Sequence, residues 1–283
     1  MTARLVLSHD ELRAAKPDGA RSAVVMTMGA LHEGHAQLIR EARAAVGAQG
    51  CVMVTDFVNP AQFGAGEDFD RYPRTLEADV VVCTDAGADL VYAPGVGEVY
   101  GTAAPATAIT VDPGPLGDLL EGAARPGHFR GMLTVVAKLM HLTAPDVALF
   151  GEKDYQQLVL ITEMVKQLNF PTIVLPVETV REPDGLAMSS RNRFLTSDER
   201  ALATEVPRAL AVTIEVARHS GHEAAIEAGR AVLAASPGID VDYLTITGTG
   251  LGPVEAGEAR ALIAVRVGAT RLIDNMACIV GAA

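Results

Sequence analysis

The sequence predicts an α/β protein: a Rossmann-like parallel sheet flanked by helices, followed by a smaller C-terminal α+β domain. Three observations carry this. Short apolar runs alternate with amphipathic stretches as far as about residue 180. Strand–helix alternation of that kind implies a parallel sheet covered on both faces. The pattern then changes to two long helical stretches followed by three strand-like runs. With 283 residues and 49% hydrophobic content, the chain is long enough for one large domain or two smaller ones. The expected division is 1–179 and 180–283.

Each element has its own warrant. Residues 22–27 form an apolar run that reads as a buried strand, and Leu38, Ile39, Ala42, Ala45 and Val46 then recur at helical spacing. Residues 51–58 read as a second strand, 74–87 as a helix and 89–93 as a short strand. A strong helix is predicted over 128–142, with Leu133, Val136, Ala137 and Met140 on one face. Residues 145–150 form the next strand. A helix over 155–168 carries Leu158, Ile161, Val165 and Leu168 in register, and 172–177 is the strand after it. REPDGLAMSSRNRF, 181–194, is loop-like, with Pro183-Asp184-Gly185 as a turn signal. Helices over 197–219 and 223–235 follow, then strands over 241–247, 260–267 and 270–280. A tight Gly268-Ala269 turn joins the last two.

Composition narrows the function. The formal net charge is -12, which argues against a nucleic-acid partner or an anionic membrane surface. Aromatic residues make up 4% and Trp is absent, so the core is built from Ala, Val, Leu, Ile and Met. Cys51, Cys83 and Cys278 are scattered and match no CxxC spacing, which suits a reducing cytoplasm. The first residues, MTARLVLSHDELRAAKPDG, do not read as a signal peptide, and no run of 18 apolar residues exists to span a membrane. No GxxxxGK[ST] loop occurs, which disfavours a Walker-type ATPase.

Ligands in open parallel sheets sit at the carboxyl ends of the strands, and the chemically rich residues fall there. VVMTMGALHEGHAQLI, 24–39, places His32 and His35 at a strand–helix junction. Their spacing is three rather than the four of HExxH, and no third metal ligand is near in sequence. Two readings stay open: a helix cap, or a phosphate cradle of backbone N–H groups and ring donors, with Gly29 and Gly34 allowing close approach. In FVNPAQFGAGEDFDRYPRTLEAD, 57–79, Asn59 and Gln62 lie beside Phe57 and Phe63. They suit either a small polar substrate with an apolar body or an ordinary Asn-Pro turn. Pro73 marks a helix start. In EGAARPGHFRGMLTVVAKL, 121–139, Arg125, His128 and Arg130 gather at a helix N-terminus: they are either solvated loop charges or, set against the macrodipole preference, a site that an anionic ligand relieves. In LFGEKDYQQL, 149–158, Lys153 is placed to touch a phosphoryl group. Asp154 caps the next helix or binds a ribose hydroxyl or Mg²⁺. In GLAMSSRNRF, 185–194, two hydroxyls and an arginine can close over a triphosphate.

Six blocks, in this order and at this spacing, resemble the pantoate–β-alanine ligases (pantothenate synthetases) over nearly the whole chain: TMGALHEGH, FVNPAQFG, YPRTLEAD, RPGHFRG, LFGEKDYQQL and MSSRNRFL. VDYL and TRLIDNM are also family-like. HxGH by itself places the chain only in the wider nucleotidyltransferase superfamily. A transferase making a stable dinucleotide or coenzyme A precursor is not expected to carry FVNPAQFG and GEKDYQQL together. A non-catalytic ATP-binding scaffold is expected to have lost His32, His35, Lys153 and Arg191.

The resemblance implies a two-step, cytoplasmic reaction. Pantoate attacks the α-phosphate of ATP to give pantoyl adenylate and pyrophosphate, and β-alanine then displaces AMP. Mg²⁺ is implied with ATP, with no protein residue assigned to it. Met28, Gly29, Ala30, Leu31, His32, Glu33, Gly34 and His35 are implied to line the ATP site, His32 and His35 on the phosphates. Gly151, Glu152, Lys153, Asp154 and Val180 are implied to hold adenosine, with Lys153 toward the α-phosphate. Met188, Ser189, Ser190 and Arg191 are implied to cover the triphosphate from the second domain, whose closure would exclude water. Gln62 and Gln157 are implied for pantoate, with Asn59, Arg125 and His128 near it or the β-alanine path. A homodimer through the first domain is also implied. Two residues depart from the family pattern: Met26 stands where Pro is usual, and Asp56 stands where an apolar residue is usual.

Overall fold

The structure is a computed structural model describing residues 2–64, 68–102 and 108–281. It divides into two compact units, 1–151 with 160–177, and 152–159 with 178–283. Against the expected division, residues 152–159 belong to the second unit, and the main segment of that unit begins at 178 instead of 180.

The first unit is a six-stranded parallel sheet in the order β1-β4-β3-β2-β5-β6. Its strands are β1 (Arg4–Val6), β2 (Ser22–Thr27), β3 (Cys51–Asp56), β4 (Leu90–Tyr92), β5 (Val147–Gly151) and β6 (Ile173–Val177). The central strands are near-continuous apolar runs because both of their faces are covered: Ser22–Val25 and Cys51–Thr55 are buried at every position. Register places Val24 beside Met53 and Ala148, and Met26 beside Thr55. The helices are α1 (His9–Ala15), α2 (Glu33–Val46), α3 (Leu76–Ala86), α4 (Val96–Tyr100), α5 (Glu121–Ala124), α6 (His128–Thr143) and α7 (Tyr155–Gln167), whose first residues group with the second unit. Ile39 and Ala42 of α2 and Cys83 of α3 pack with Val25, Val54 and Leu149 of the sheet.

The second unit contains α8 (Ser197–Ala203), α9 (Glu205–Ala234) and an antiparallel sheet of β7 (Ile239–Gly248), β8 (Gly257–Val267) and β9 (Thr270–Val280). Its core joins Ala209, Leu210 and Ala217 to Leu244, Ile263 and Val265.

The helix boundaries correct the sequence reading in two places and agree with it in a third. The helix expected over 197–219 breaks at Thr204, because an uninterrupted helix would hold Pro207 in its interior, whereas α9 takes it in the first turn. Gly221, with φ 76° and ψ 174°, interrupts α9 where the gap between two helices was expected. The helix predicted to start around Pro73 begins at Leu76, with Arg74 donating instead to the carbonyls of Phe69 and Tyr72. β1, α1, α4 and α5 are too short for periodicity to show them.

Candidate active site

In the first unit, β2 ends at Thr27 and the chain turns through Met28–Leu31 into α2. Gly29 and Ala30 both take left-handed backbone conformations, with φ 79° and 52°. Such a turn is unfavourable for a non-glycine residue unless something holds it. Asp79 of α3 does so. Its Oδ2 accepts from Ala30 N–H at 3.0 Å and its Oδ1 accepts from Leu31 N–H at 2.7 Å. The Thr75 hydroxyl donates to Oδ2 at 2.9 Å.

The two histidines then cap α2 reciprocally. His32 Nδ1 accepts from Gly34 N–H at 3.1 Å, and His35 Nδ1 accepts from His32 N–H at 3.3 Å. The ring centroids are 4.2 Å apart. An imidazole nitrogen that accepts carries no proton, so each neutral ring carries its hydrogen on Nε2. The helix-cap and phosphate readings are therefore compatible: Nδ1 closes the helix and Nε2–H is the donor each ring offers. Gly34 is required for this, because a Cβ there would lie 2.9 Å from His32 Cε1. Glu33 forms an ion pair with Arg40 on the exposed side of α2.

Gln62 and Asn59 follow β3. Gln62 is buried and its side-chain N–H donates to Met28 Sδ at 2.9 Å. Asn59 donates to Gln62 Oε1 and to the Gly131 carbonyl, and its own Oδ1 accepts from Ala61 N–H and the Tyr100 hydroxyl. These four bonds use its full side-chain capacity. A Cβ on Gly131 would lie 2.0 Å from the Ala61 carbonyl oxygen, so glycine lets α6 lie against this turn. Arg125 donates to His128 Nε2 at 3.1 Å, since a guanidinium can only donate. That leaves His128 Nδ1–H to donate to the Gln62 carbonyl at 2.9 Å. Arg130 does not join this group: it pairs with Asp112 at 2.8 Å on the surface. The expected three-cation cluster is thus Arg125 with His128 alone.

In the second unit, residues 152–155 are held by the C-terminal sheet. Asn275 Nδ2 donates to the carbonyls of Glu152 and Lys153, both at 2.9 Å. Arg260, with 7% of its side chain exposed, pairs with Glu152 at 2.8 Å and donates to Asn275 Oδ1 at 2.7 Å. Its guanidinium lies 4.2 Å from the Tyr155 ring centroid, and the Tyr155 hydroxyl donates to the Thr249 carbonyl. Lys153 has Asp154 at 4.0 Å. Gly151 closes β5, and Gln157 is half-buried on α7. Val180 accepts from Met188 N–H at 2.9 Å, and Ser189 caps the turn of Ser190–Phe194 by accepting from Arg191 N–H. Lys153, Ser189 and Arg191 line one small concavity with Asn192 and Arg271. Arg181 grips Asp274 through both terminal nitrogens, at 2.7 and 3.0 Å.

The family profile described as Pantoate-beta-alanine ligase matches residues 4–277. The chain belongs to the pantoate–β-alanine ligase family. It is 53% identical to the pantothenate synthetase of Nocardioides sp., over 99% of this chain and 87% of that one. Its fold matches a crystal structure of the Thermus thermophilus pantothenate synthetase with a TM-score of 0.89 at 47% identity, covering 96% of this chain and 98% of that one. A Francisella tularensis pantoate-beta-alanine ligase, complexed with beta-gamma ATP and β-alanine, matches with a TM-score of 0.79 at 31% identity over 97% of each chain.

The ligase motifs now have physical meanings. TMGALHEGH is a left-handed turn plus a two-histidine cap, and the aspartate of YPRTLEAD anchors that turn. FVNPAQFG and RPGHFRG meet through Asn59, Gln62, His128 and Gly131. Sequence reasoning missed Asp79, Arg260 and Asn275 as supports. The signal was present, since Asp79 ends YPRTLEAD and Asn275 lies in TRLIDNM, but a block match does not say which residue carries the contact.

Proposed function

We propose that this ligase condenses pantoate with β-alanine through pantoyl adenylate. The pantoate carboxylate oxygen bonds to the α-phosphorus of ATP, the α–β bridging P–O bond breaks, and pyrophosphate leaves. The β-alanine nitrogen then bonds to the acyl carbon, the C–O bond to phosphate breaks, and AMP leaves; the nitrogen, entering as an ammonium, gives up two protons and keeps one as the amide N–H. The observation that carries this reading is the paired cap of α2. It supports two Nε2–H donors, joined to the positive end of a helix, for an anion approached by a second anion. ATP as co-substrate is supported by the nucleotide in the Francisella relative.

His32 and His35 take phosphates in this proposal; in the second unit Lys153, Ser190 and Arg191 are the phosphate-binding residues, with Lys153 for the α-phosphate. Met28–Leu31, Gly151–Asp154, Val180, Met188 and Ser189 contact the nucleotide. Gln62 and Gln157 hold pantoate, and Arg125, positioned by His128, attracts a substrate carboxylate. Asn59 is a positioning residue, because its donors and acceptors are spent on protein partners. The described residues contain no group of three His, Cys, Asp or Glu side chains able to hold a metal. Mg²⁺, if bound with ATP, would supply charge neutralisation on the phosphates.

The three cysteines are buried free thiols and no described helix is long and apolar enough to cross a membrane, which supports the cytoplasm as the compartment. β6, which carries Ile173, is an open edge of the parallel sheet, and such an edge supports homodimerisation through the first unit. Light scattering of wild type and Ile173→Lys tests this, and a wild-type monomer would overturn it. The reaction is tested by pyrophosphate–ATP exchange. Exchange should require pantoate and not β-alanine. Exchange without pantoate, or none at all, would refute the adenylate route.

A further inference from the structure

Asp56 is the last residue of β3, and its half-buried carboxyl lies directly beneath the Gly29 turn: a Cβ on Gly29 would sit 2.6 Å from Asp56 Oδ1 and 3.3 Å from Asp79 Oδ2. Oxygens of both carboxyl groups flank that one point, which sets Asp56 and Asp79 side by side with a hydrogen bond between them as the contact open to the pair. Two carboxyl groups form such a bond only if one of them carries a proton. The hydrogen-bond inventory says which. Asp79 already accepts from Ala30 N–H, Leu31 N–H and the Thr75 hydroxyl, all within 3.0 Å. It acts as an acceptor on both oxygens, so the shared hydrogen belongs to Asp56.

We propose that Asp56 and Asp79 share one proton beneath the 29–31 turn, carried by Asp56, and that this pair is a positioning device for the nucleotide loop. With the proton present, Asp56 donates to Asp79 and steadies the carboxylate that holds two backbone donors in a left-handed turn. With it gone, two carboxylates face each other and the hold on Ala30 and Leu31 slackens. Burial, then the charge of Asp79, raises the Asp56 carboxyl to about 6. The other ionisable group facing the pair is Cys83 of α3, whose thiol is pushed up to about 12 by burial and by these same carboxylates. His32 and His35 begin the helix that the turn leads into.

The effect on ligand affinity rests on the proposed nucleotide reading of this loop; the shared proton does not. The test therefore has two arms. In ligand-free full-length protein, the ¹³Cγ resonance of Asp56 should titrate well above the ordinary aspartate range. The Ala30 and Leu31 amide resonances should move with it, and Asp56→Asn, whose amide donates to Asp79 at every pH, should abolish that component while leaving any histidine-linked component. An Asp56 that titrates with ordinary aspartates, a proton found on Asp79, or amide shifts unchanged in Asp56→Asn would overturn the proposal. The second arm is ATP affinity between about pH 5 and pH 8. It should fall several-fold more in wild type than in Asp56→Asn. Parallel curves despite the amide titration would overturn the positioning role, whereas no ATP binding at any pH would condemn the nucleotide reading instead.

Discussion

Two strand-to-helix turns carry most of the proposed chemistry, and they are built in opposite ways. The turn after β2 leads into a helix closed by its neighbours in sequence: His32 and His35 cap α2 over separations of two and three residues, and Asp79 reaches the turn itself from a distance. The turn after β5 is secured from far away. Arg260 and Asn275 reach residues 152 and 153 across more than a hundred positions of chain. A locally closed cap keeps its geometry as long as its helix exists. A turn closed by a remote sheet keeps its geometry only while the second unit is folded, so the position of the Lys153 backbone reports on that unit's integrity.

The largest effect should come from the charge at the remote turn. Lys153→Ala should lower pantoate-dependent pyrophosphate–ATP exchange by on the order of 10²–10³-fold, the usual loss for one electrostatic donor to a developing charge. The urea midpoint should barely move. A comparable fall in stability would mean that Lys153 is part of the turn's scaffold and not of its chemistry.

Arg260→Met separates scaffold from chemistry in the other direction. It keeps the apolar bulk and leaves Glu152 without its cation. Removing one partner of a buried pair costs about 3–5 kcal/mol. Glu152 keeps 25% of its side chain exposed, so the loss should be about 2–3 kcal/mol by urea unfolding. Gly34→Ala offers no such loss at the local turn, and equal destabilisation by the two would erase the distinction.

This contrast also explains what the sequence makes legible. Periodicity reveals the alternating strands and helices because burial on a sheet is a local pattern, repeated every two or 3.6 residues. The His32 and His35 cap is legible for the same reason: its hydrogen bonds lie within one helical turn. Asp79, Arg260 and Asn275 are invisible to that reading, because nothing near them in the chain announces a partner. Asp56 is an intermediate case. A carboxylate on a central parallel strand signals a missing partner, but only the fold shows that the partner is a second carboxylate. Arg130 shows the reverse error: three cationic groups in one stretch suggest an anion site, and the fold gives one of them to Asp112.

The acid pair adds a pH dependence to the local turn that the remote turn lacks. The folded-state value for Asp56 is raised above that of the unfolded chain, so the native state binds this proton more tightly. Its stabilising contribution is complete below about pH 4 and is lost as pH rises through about 6. Discounted for solvent screening at a half-exposed group, the loss should be about 1–2 kcal/mol. Urea unfolding of Asp56→Asn should lack this decline, so the variant gains on wild type above pH 6. Identical pH profiles would place the proton elsewhere.

The smallest stability change should come from Gly34→Ala, where two terms oppose each other. Alanine favours a helix over glycine by up to about 1 kcal/mol, less in the first turn. The new Cβ, 2.9 Å from His32 Cε1, turns the ring away and removes a cap worth about 1 kcal/mol. The net change should stay below about 1 kcal/mol. The ring's Nε2–H nevertheless leaves its place, and a charge-assisted bond to phosphate worth about 1.5–3 kcal/mol goes with it. ATP affinity should therefore fall by roughly tenfold or more in a protein that unfolds almost normally. If affinity is unchanged while the cap is lost, the histidines serve the helix alone, and the phosphates are held by the backbone of the turn.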